Sequence, residues 1–350
     1  MSLIEKISEE YKKYDVIIAG ASFAGLAVAS KIKNKKVLLI DRKEIGTRVT
    51  SACGTTVQII KKINCEKAII QTFNKFAIHI GNKETEIPIS EKYCTINYSK
   101  FCKLLNKQNN AEFLIANVKK TDGKKVFTDK GDFGADIIVD CTGWRAVLAS
   151  SLNKNYFNKK MLSFGIETEI FYKKDDKLRF FVNPEIIKNG AAWLFPCGKK
   201  ARFGVGSYEG NTKILPNLEK FVEGYGLKVG KVHGGYFCYH LKNPIVKNIF
   251  VVGCAAGQTL PLTGEGIKRS VNFGLICGEI IQRILDKKIS LKQGQEEYAE
   301  EALRYKKDYE LLLGLQEKLP EIENWKINLI TKLLSIKPIN GYLLKKYEEI

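Results

Sequence analysis

Four short stretches of this chain carry the residue types that chemistry at a bound cofactor needs. The first is the run GASFAG, with Gly20, Ser22, Ala24 and Gly25, followed by an aspartate at position 41. Glycines at 20 and 25 allow a tight turn and close helix–strand packing, so that backbone N–H groups can reach a pyrophosphate. The positive end of the helix that follows favours the phosphate charge. Asp41 ends the next apolar strand, where a carboxylate can accept hydrogen bonds from a ribose diol. Ser22 stands where this fingerprint has its middle glycine, so phosphates approach less closely. The combination predicts a dinucleotide site. The second stretch, DIIVDCTGWR, ends an apolar strand in a small-residue turn at Gly143, which lets backbone pass beside a cofactor. The third, NIFVVGCAAG, contains Gly253 and Cys254 and leads through Pro261, Gly264, Glu265 and Gly266 to Ile267 and a helix. The fourth, Trp193 to Pro196, spaces Trp193 and Phe195 two apart, on one face of a strand.

Particular elements must lie beneath these turns. Residues 15–19 and 36–40 are short apolar runs of the kind that form buried parallel strands. The segment LAVASKIK between them has helical spacing, which completes a βαβ unit. Residues 76–80 and 85–89 read as a strand pair in a second sheet, and 100–107 as a helix. Strand character returns at 113–119, 125–128 and 136–140. From about 161 to 240 strands alternate with Gly, Pro and Asn turns. A buried strand at 248–252 and a helix over 266–285 bring the chain back to the first unit. The expected class is α/β: a Rossmann-like doubly wound domain, a β-sheet substrate domain and a helical C-terminal tail. The expected division is 1–75, 95–160 and 245–290 for the nucleotide domain, 76–94 and 161–244 for the β-rich one, and 291–350 for the tail.

With those motifs in place, the chain resembles the FAD-dependent oxidoreductases of the aromatic-hydroxylase type. Within them it is similar to the geranylgeranyl reductase family, whose pattern reads roughly V-G-D-A-A-G…P-x-x-G-x-G-I. The resemblance runs from Asp15 to about Leu285. It implies FAD as cofactor, with the Gly264–Ile267 loop and the helix N-terminus along the flavin ring, where negative charge develops on reduction. It also implies that Ala52, Cys53 and Gly54 form the loop beside the flavin, with Cys53 a candidate proton donor or neutral lining. Val118 matches the residue whose backbone meets the adenine. The run AAWLFP is similar to the family's Y-x-W-x-F-P substrate motif, which makes Trp193, Phe195 and Pro196 the expected lining of an isoprenoid channel. Three family contacts are altered. Cys254 replaces the ribityl-binding Asp, Tyr98 replaces an Arg that helps hold FAD, and Ala191 replaces the Tyr of the substrate motif.

Composition bounds the partners. Lys and Arg outnumber Asp and Glu by 57 to 38, yet only eight are Arg, the residue suited to bidentate phosphate contact. A Lys-rich solvated surface follows, and no nucleic-acid partner is expected. Nine scattered cysteines without a C-x-x-C pair argue for a reducing, cytoplasmic setting rather than a disulfide scaffold. His79, His233 and His240 lack metal-ligand spacing and read as ordinary histidines, so no metal is expected. Residues 1–14 are charged, unlike a signal peptide, and no run is long enough to span a bilayer. Residues 325–337 form an amphipathic pattern that either lies peripherally at a membrane or packs on the body of the protein. The leading expectation is reduction of C=C bonds in geranylgeranyl chains of membrane ether lipids, with electrons from ferredoxin, a nicotinamide or another carrier. The alternatives are a flavin monooxygenase of a small aromatic or polyketide substrate, and a flavin fold that has weakened or lost its cofactor.

Overall fold

A computed structural model of the chain describes residues 12–81, 83–173, 175–322 and 332. The amphipathic stretch at 325–337, Lys332 aside, lies outside the described residues, as do residues 1–11 of the charged N-terminal run.

The apolar runs become the centre of a first sheet. Val16, Ile17 and Ile18 and the run Leu38 to Ile40 are fully buried, because parallel strands are covered on both faces. Lys13–Ala19 pairs in parallel with Val37–Asp41 on one side and with Gly131–Asp140 on the other. Glu112–Ile115 extends the first side and Ile249–Val251 the second, both in parallel. In chain order this is the 3-2-1-4-5 pattern of a doubly wound sheet. The strands Val118–Thr121 and Lys125–Thr128 form an antiparallel flap on Gly131–Asp140.

Two helices cover one face of this sheet and cross each other closely. A Cβ on Gly274 would lie 2.7 Å from both the carbonyl oxygen of Ala24 and the Cβ of Ala27. The missing side chain is what lets Ile267–Leu285 lie against Phe23–Lys31. Beyond it, Leu291–Leu303 starts at a capping box formed by Ser290 and Gln293. The helix Lys306–Lys318 follows. Both anchor the returning chain: Tyr298 Oη donates to Val251 O at 3.2 Å, and Tyr309 Oη to Gln258 O at 2.7 Å.

The second sheet is mostly antiparallel, in the order Val232–Cys238, Leu162–Phe171, Lys200–Ser207, Gly190–Cys197, Leu178–Val182, Ile69–Ile80, Lys83–Ile96 and Gly54–Thr56. Its hairpin is longer than the 76–94 read from the sequence. It begins at Ile69, runs to Ile96 and gains the short strand Gly54–Thr56. Polar residues and bulges near Ile69 and Phe73 break the alternation that marks a strand. Chain therefore crosses between the sheets at residues 53–54 and 96–97. Arg202 fastens this crossing, donating to Ala52 O at 3.0 Å and Ile96 O at 3.2 Å.

Candidate functional site

The glycine turn after the first strand is built against the second turn. Gly20 has φ +106, and a Cβ there would overlap the carbonyl of Cys141. Gly25 admits no Cβ because the Gly20 carbonyl lies against it. Asp41 closes the turn: its Oδ2 accepts the Ala21 N–H at 2.8 Å and its Oδ1 the Lys43 N–H at 3.2 Å. The Ala116 N–H donates to the main-chain carbonyl of Asp41 at 2.9 Å, two residues before the Val118 strand begins. Gly143, at φ +74, opens the turn after Asp140. That turn is held by the buried Asp140 carboxylate, which takes the Thr142 N–H and hydroxyl and the Ala149 N–H. Burial raises the Asp140 carboxyl above its ordinary range despite these bonds.

Ser22 and Tyr98, two of the altered positions, meet. Ser22 Oγ and Tyr98 Oη lie 3.0 Å apart, at the N-terminus of Phe23–Lys31. Tyr98 is buried against Phe23 and Phe101, and Lys43 Nζ sits 5.6 Å from its ring. Ala24 approaches the third turn as well, since a Cβ on Gly253 would lie 2.9 Å from the Ala24 Cβ. The glycine turns at 20–25 and 253–267 are thus neighbours. Cys254, where the family pattern has Asp, turns its sulfur to the Cys238 N–H at 3.1 Å, and burial pushes its thiol up to about 12. It behaves as a half-buried acceptor.

Gly266 caps Ile267–Leu285, with Gly264 at φ +66 in the loop before it. Glu265, between them, was not singled out from the sequence as a site residue. Its Oε1 accepts the Lys268 N–H at 2.9 Å and lies 3.4 Å from the Thr55 hydroxyl. Its Oε2 is buried with no hydrogen-bond partner, and burial raises the carboxyl above its usual range. No regular motif spacing marks such a group.

Facing these loops is one face of the second sheet. Pairing sets Trp193 opposite Gly204 and Phe195 opposite Arg202. A Cβ on Gly204 would fall into the Trp193 indole, and one on Gly165 or Gly206 would lie 3.3 Å from it. Glycines therefore pave the strip on which the ring lies. The Phe195 ring comes to 3.0 Å from a Cβ position on Gly54, and Phe195, Phe180, Phe73 and Tyr93 form one apolar cluster. Pro196, the next residue on the strand, falls on the opposite face from Trp193 and Phe195, and its carbonyl takes the Thr95 hydroxyl at 2.8 Å. Cys53 has φ +54, a left-handed conformation costly for a side-chain-bearing residue. Its thiol is fully buried, donates to Ser51 O at 3.2 Å and is pushed up to about 12.

A doubly wound sheet with three adjoining turns, facing a second sheet across a crossover at residue 53, is the fold of the FAD-dependent hydroxylase type. No family model matches the chain. Among curated relatives, it is 27% identical to the digeranylgeranylglycerophospholipid reductase of Methanococcus vannielii, over 87% of this chain and 85% of that one. Its counterpart from Methanocaldococcus jannaschii is 26% identical, over 95% and 93%. Among solved structures, a geranylgeranyl bacteriochlorophyll reductase-like protein from Thermoplasma acidophilum superposes with a TM-score of 0.82 at 19% identity, covering 97% of this chain and 98% of that one. A probable FAD-dependent monooxygenase from Pseudomonas aeruginosa gives 0.70 at 13% identity, covering 88% and 97%. The resemblance read from the motifs thus extends to reductases of this name over most of the chain.

Proposed function

We propose that the protein is an FAD-dependent reductase that saturates isolated C=C bonds in the geranylgeranyl chains of a membrane ether lipid. The observation that carries this reading is the apolar, glycine-paved face bearing Trp193 and Phe195, set against the two loops that would flank a flavin. The names of the relatives agree with it. The residues fit FAD: the glycine turn and Asp41 suit the pyrophosphate and ribose, and the loop at Gly264, Gly266 and Ile267 with Ala52 and Gly54 suits the ring. When bound and reduced, the flavin supplies a hydride.

An isolated alkene develops no oxyanion, so the chain contributes by orienting the bond, excluding water and placing a proton. Trp193 and Phe195 orient an isoprenoid chain by shape. The conformation at Cys53, with Arg202 bonded to Ala52 O, fixes the loop between ring and lipid. No described helix is long and apolar enough to cross a membrane; in this reading the lipid is met at the membrane surface, on the cytoplasmic side. The electron donor is a separate carrier.

The test is to purify the protein, record flavin absorption, photoreduce it without oxygen and add geranylgeranyl lipid. Reoxidation with a gain of two hydrogens per bond is the expected result. A colourless protein supports a fold without its cofactor, and oxygen-dependent addition of one oxygen atom supports a monooxygenase; either overturns the proposal.

A further inference from the structure

The sequence treated His233 as an ordinary histidine, but the fold seats it on the working face of the second sheet. Val232–Cys238 pairs with Leu162–Phe171 so that His233 stands opposite Glu167. Two residues on, Thr50 lies 3.8 Å from where a Gly235 Cβ would be, and two further, Phe237 lies 3.8 Å from a Cβ position on Gly264. His233, Gly235 and Phe237 share a face by the alternation of the strand. That face confronts the loops assigned above to the flavin.

Glu167 is 2% exposed, which demands partners for its carboxylate. It has two. The Trp193 indole N–H donates to Oε2 at 3.0 Å, and His233 Nε2 lies 2.9 Å from Oε1. One buried carboxylate therefore fixes both the ring that lines the channel and an imidazole beside it. With Nε2 engaged, Nδ1 is the edge left to act. Such a carboxylate–imidazole pair fixes the orientation and the tautomer of the ring.

We propose that His233, oriented by Glu167, delivers the proton that completes reduction of the alkene. This rests on the reductase reading above. One alkene carbon gains the hydride from the reduced flavin. The π pair forms a C–H bond at the other carbon with the proton from His233 Nδ1. The alkene is reduced by two electrons, the flavin is oxidised by two, and the neutral imidazole recovers its proton from solvent. Cys53 is the weaker source, because a buried thiol pushed up to about 12 surrenders a proton far less readily than an imidazolium. The charged and titratable groups around Glu167 are Glu169 on its own strand, Arg202 and Cys197 on neighbouring strands, and Cys53 on the facing loop.

The test uses the FAD-loaded, photoreduced protein mixed anaerobically with geranylgeranyl lipid, with flavin reoxidation followed in single turnover. In the wild type the rate should fall as pH rises, because the step consumes a proton. His233→Gln, which keeps a bond to Glu167, and His233→Ala should each slow reoxidation by about 100-fold or more and lose that pH dependence. Added imidazole should restore His233→Ala by at least about ten-fold. Lipid binding to the cofactor-free protein, read by tryptophan quenching, should stay as in the wild type. Wild-type rates and pH profile in both variants would overturn the proposal and leave the reductase reading standing. Slowing accompanied by lost lipid binding, without rescue, would make the pair a structural support and overturn it equally. A wild type that lipid fails to reoxidise overturns the reductase reading itself.

Discussion

The hydroxyls of Ser22 and Tyr98 sit 3.0 Å apart in the turn that should cradle a pyrophosphate. Taken separately, each looks like a lost cofactor contact, one for a glycine and one for an arginine. In the fold they meet: the Ser22 hydroxyl is tied to the Tyr98 phenol at the N-terminus of Phe23–Lys31. This pairing was hidden in the sequence, because nothing in residues 76 positions apart announces their contact. Glu167 and His233 were hidden for the same reason, their meeting being set by strand register. A double-mutant cycle measures the first pair. Tyr98→Phe leaves Ser22 without its partner in a half-buried turn, and each single variant should cost about 1 kcal/mol in urea unfolding, with a coupling of at least about 0.5 kcal/mol. Strict additivity would show that the two substitutions are unrelated. Ser22→Gly should in turn tighten FAD retention on gel filtration, since the phosphates then meet bare backbone.

At the scale of elements, the site depends on two helices that approach without side chains between them. Gly274 and Gly278 of Ile267–Leu285 face the backbone of Phe23–Lys31, and their Cβ positions fall within 2.7 Å and 2.5 Å of the carbonyl oxygens of Ala24 and Val28. The crossing holds the Gly20 and Gly253 turns side by side. Gly274→Ala should force the helices apart, costing about 1–3 kcal/mol by overpacking, and the purified variant should release flavin during dialysis. Full stability with full retention would show that the crossing is not what registers the turns. Much of this layer was legible: short apolar runs at 15–19, 36–40, 136–140 and 248–252, ending at glycine or aspartate, marked the centres of the parallel strands 13–19, 37–41, 131–140 and 249–251. The edge hairpin was less so. Its first strand alternates between exposed and half-buried residues from Ile69 to Thr72, which a period-two reading cannot tell from a loop.

Over the whole molecule, the buried thiols make a pH statement. Cys53, Cys94 and Cys102 have no exposed surface and Cys254 is half-buried, and desolvation pushes each thiol up to about 12; Cys65 and Cys197 are pushed up to about 11. A folded-state value raised above the unfolded one contributes stability that is complete below the unfolded value and is lost as pH rises toward the folded one. With an ordinary thiol at 9.0, the loss begins near pH 9. Each fully buried thiol then gives up about 1 kcal/mol by pH 10. Lysine deprotonation works in the opposite direction by relieving the surplus of 19 positive charges. That repulsion is between solvated groups and is screened at about 0.5 M salt, whereas the thiol term is buried and unscreened. In such salt the urea midpoint should therefore fall by a large fraction between pH 8 and pH 10. Replacing Cys53 and Cys102 together by alanine should flatten the fall while lowering the midpoint at pH 8. A midpoint that holds steady from pH 8 to pH 10 in the wild type would mean that the thiols are reached by water, and with them the loop at Cys53 on which the closed, dry site depends.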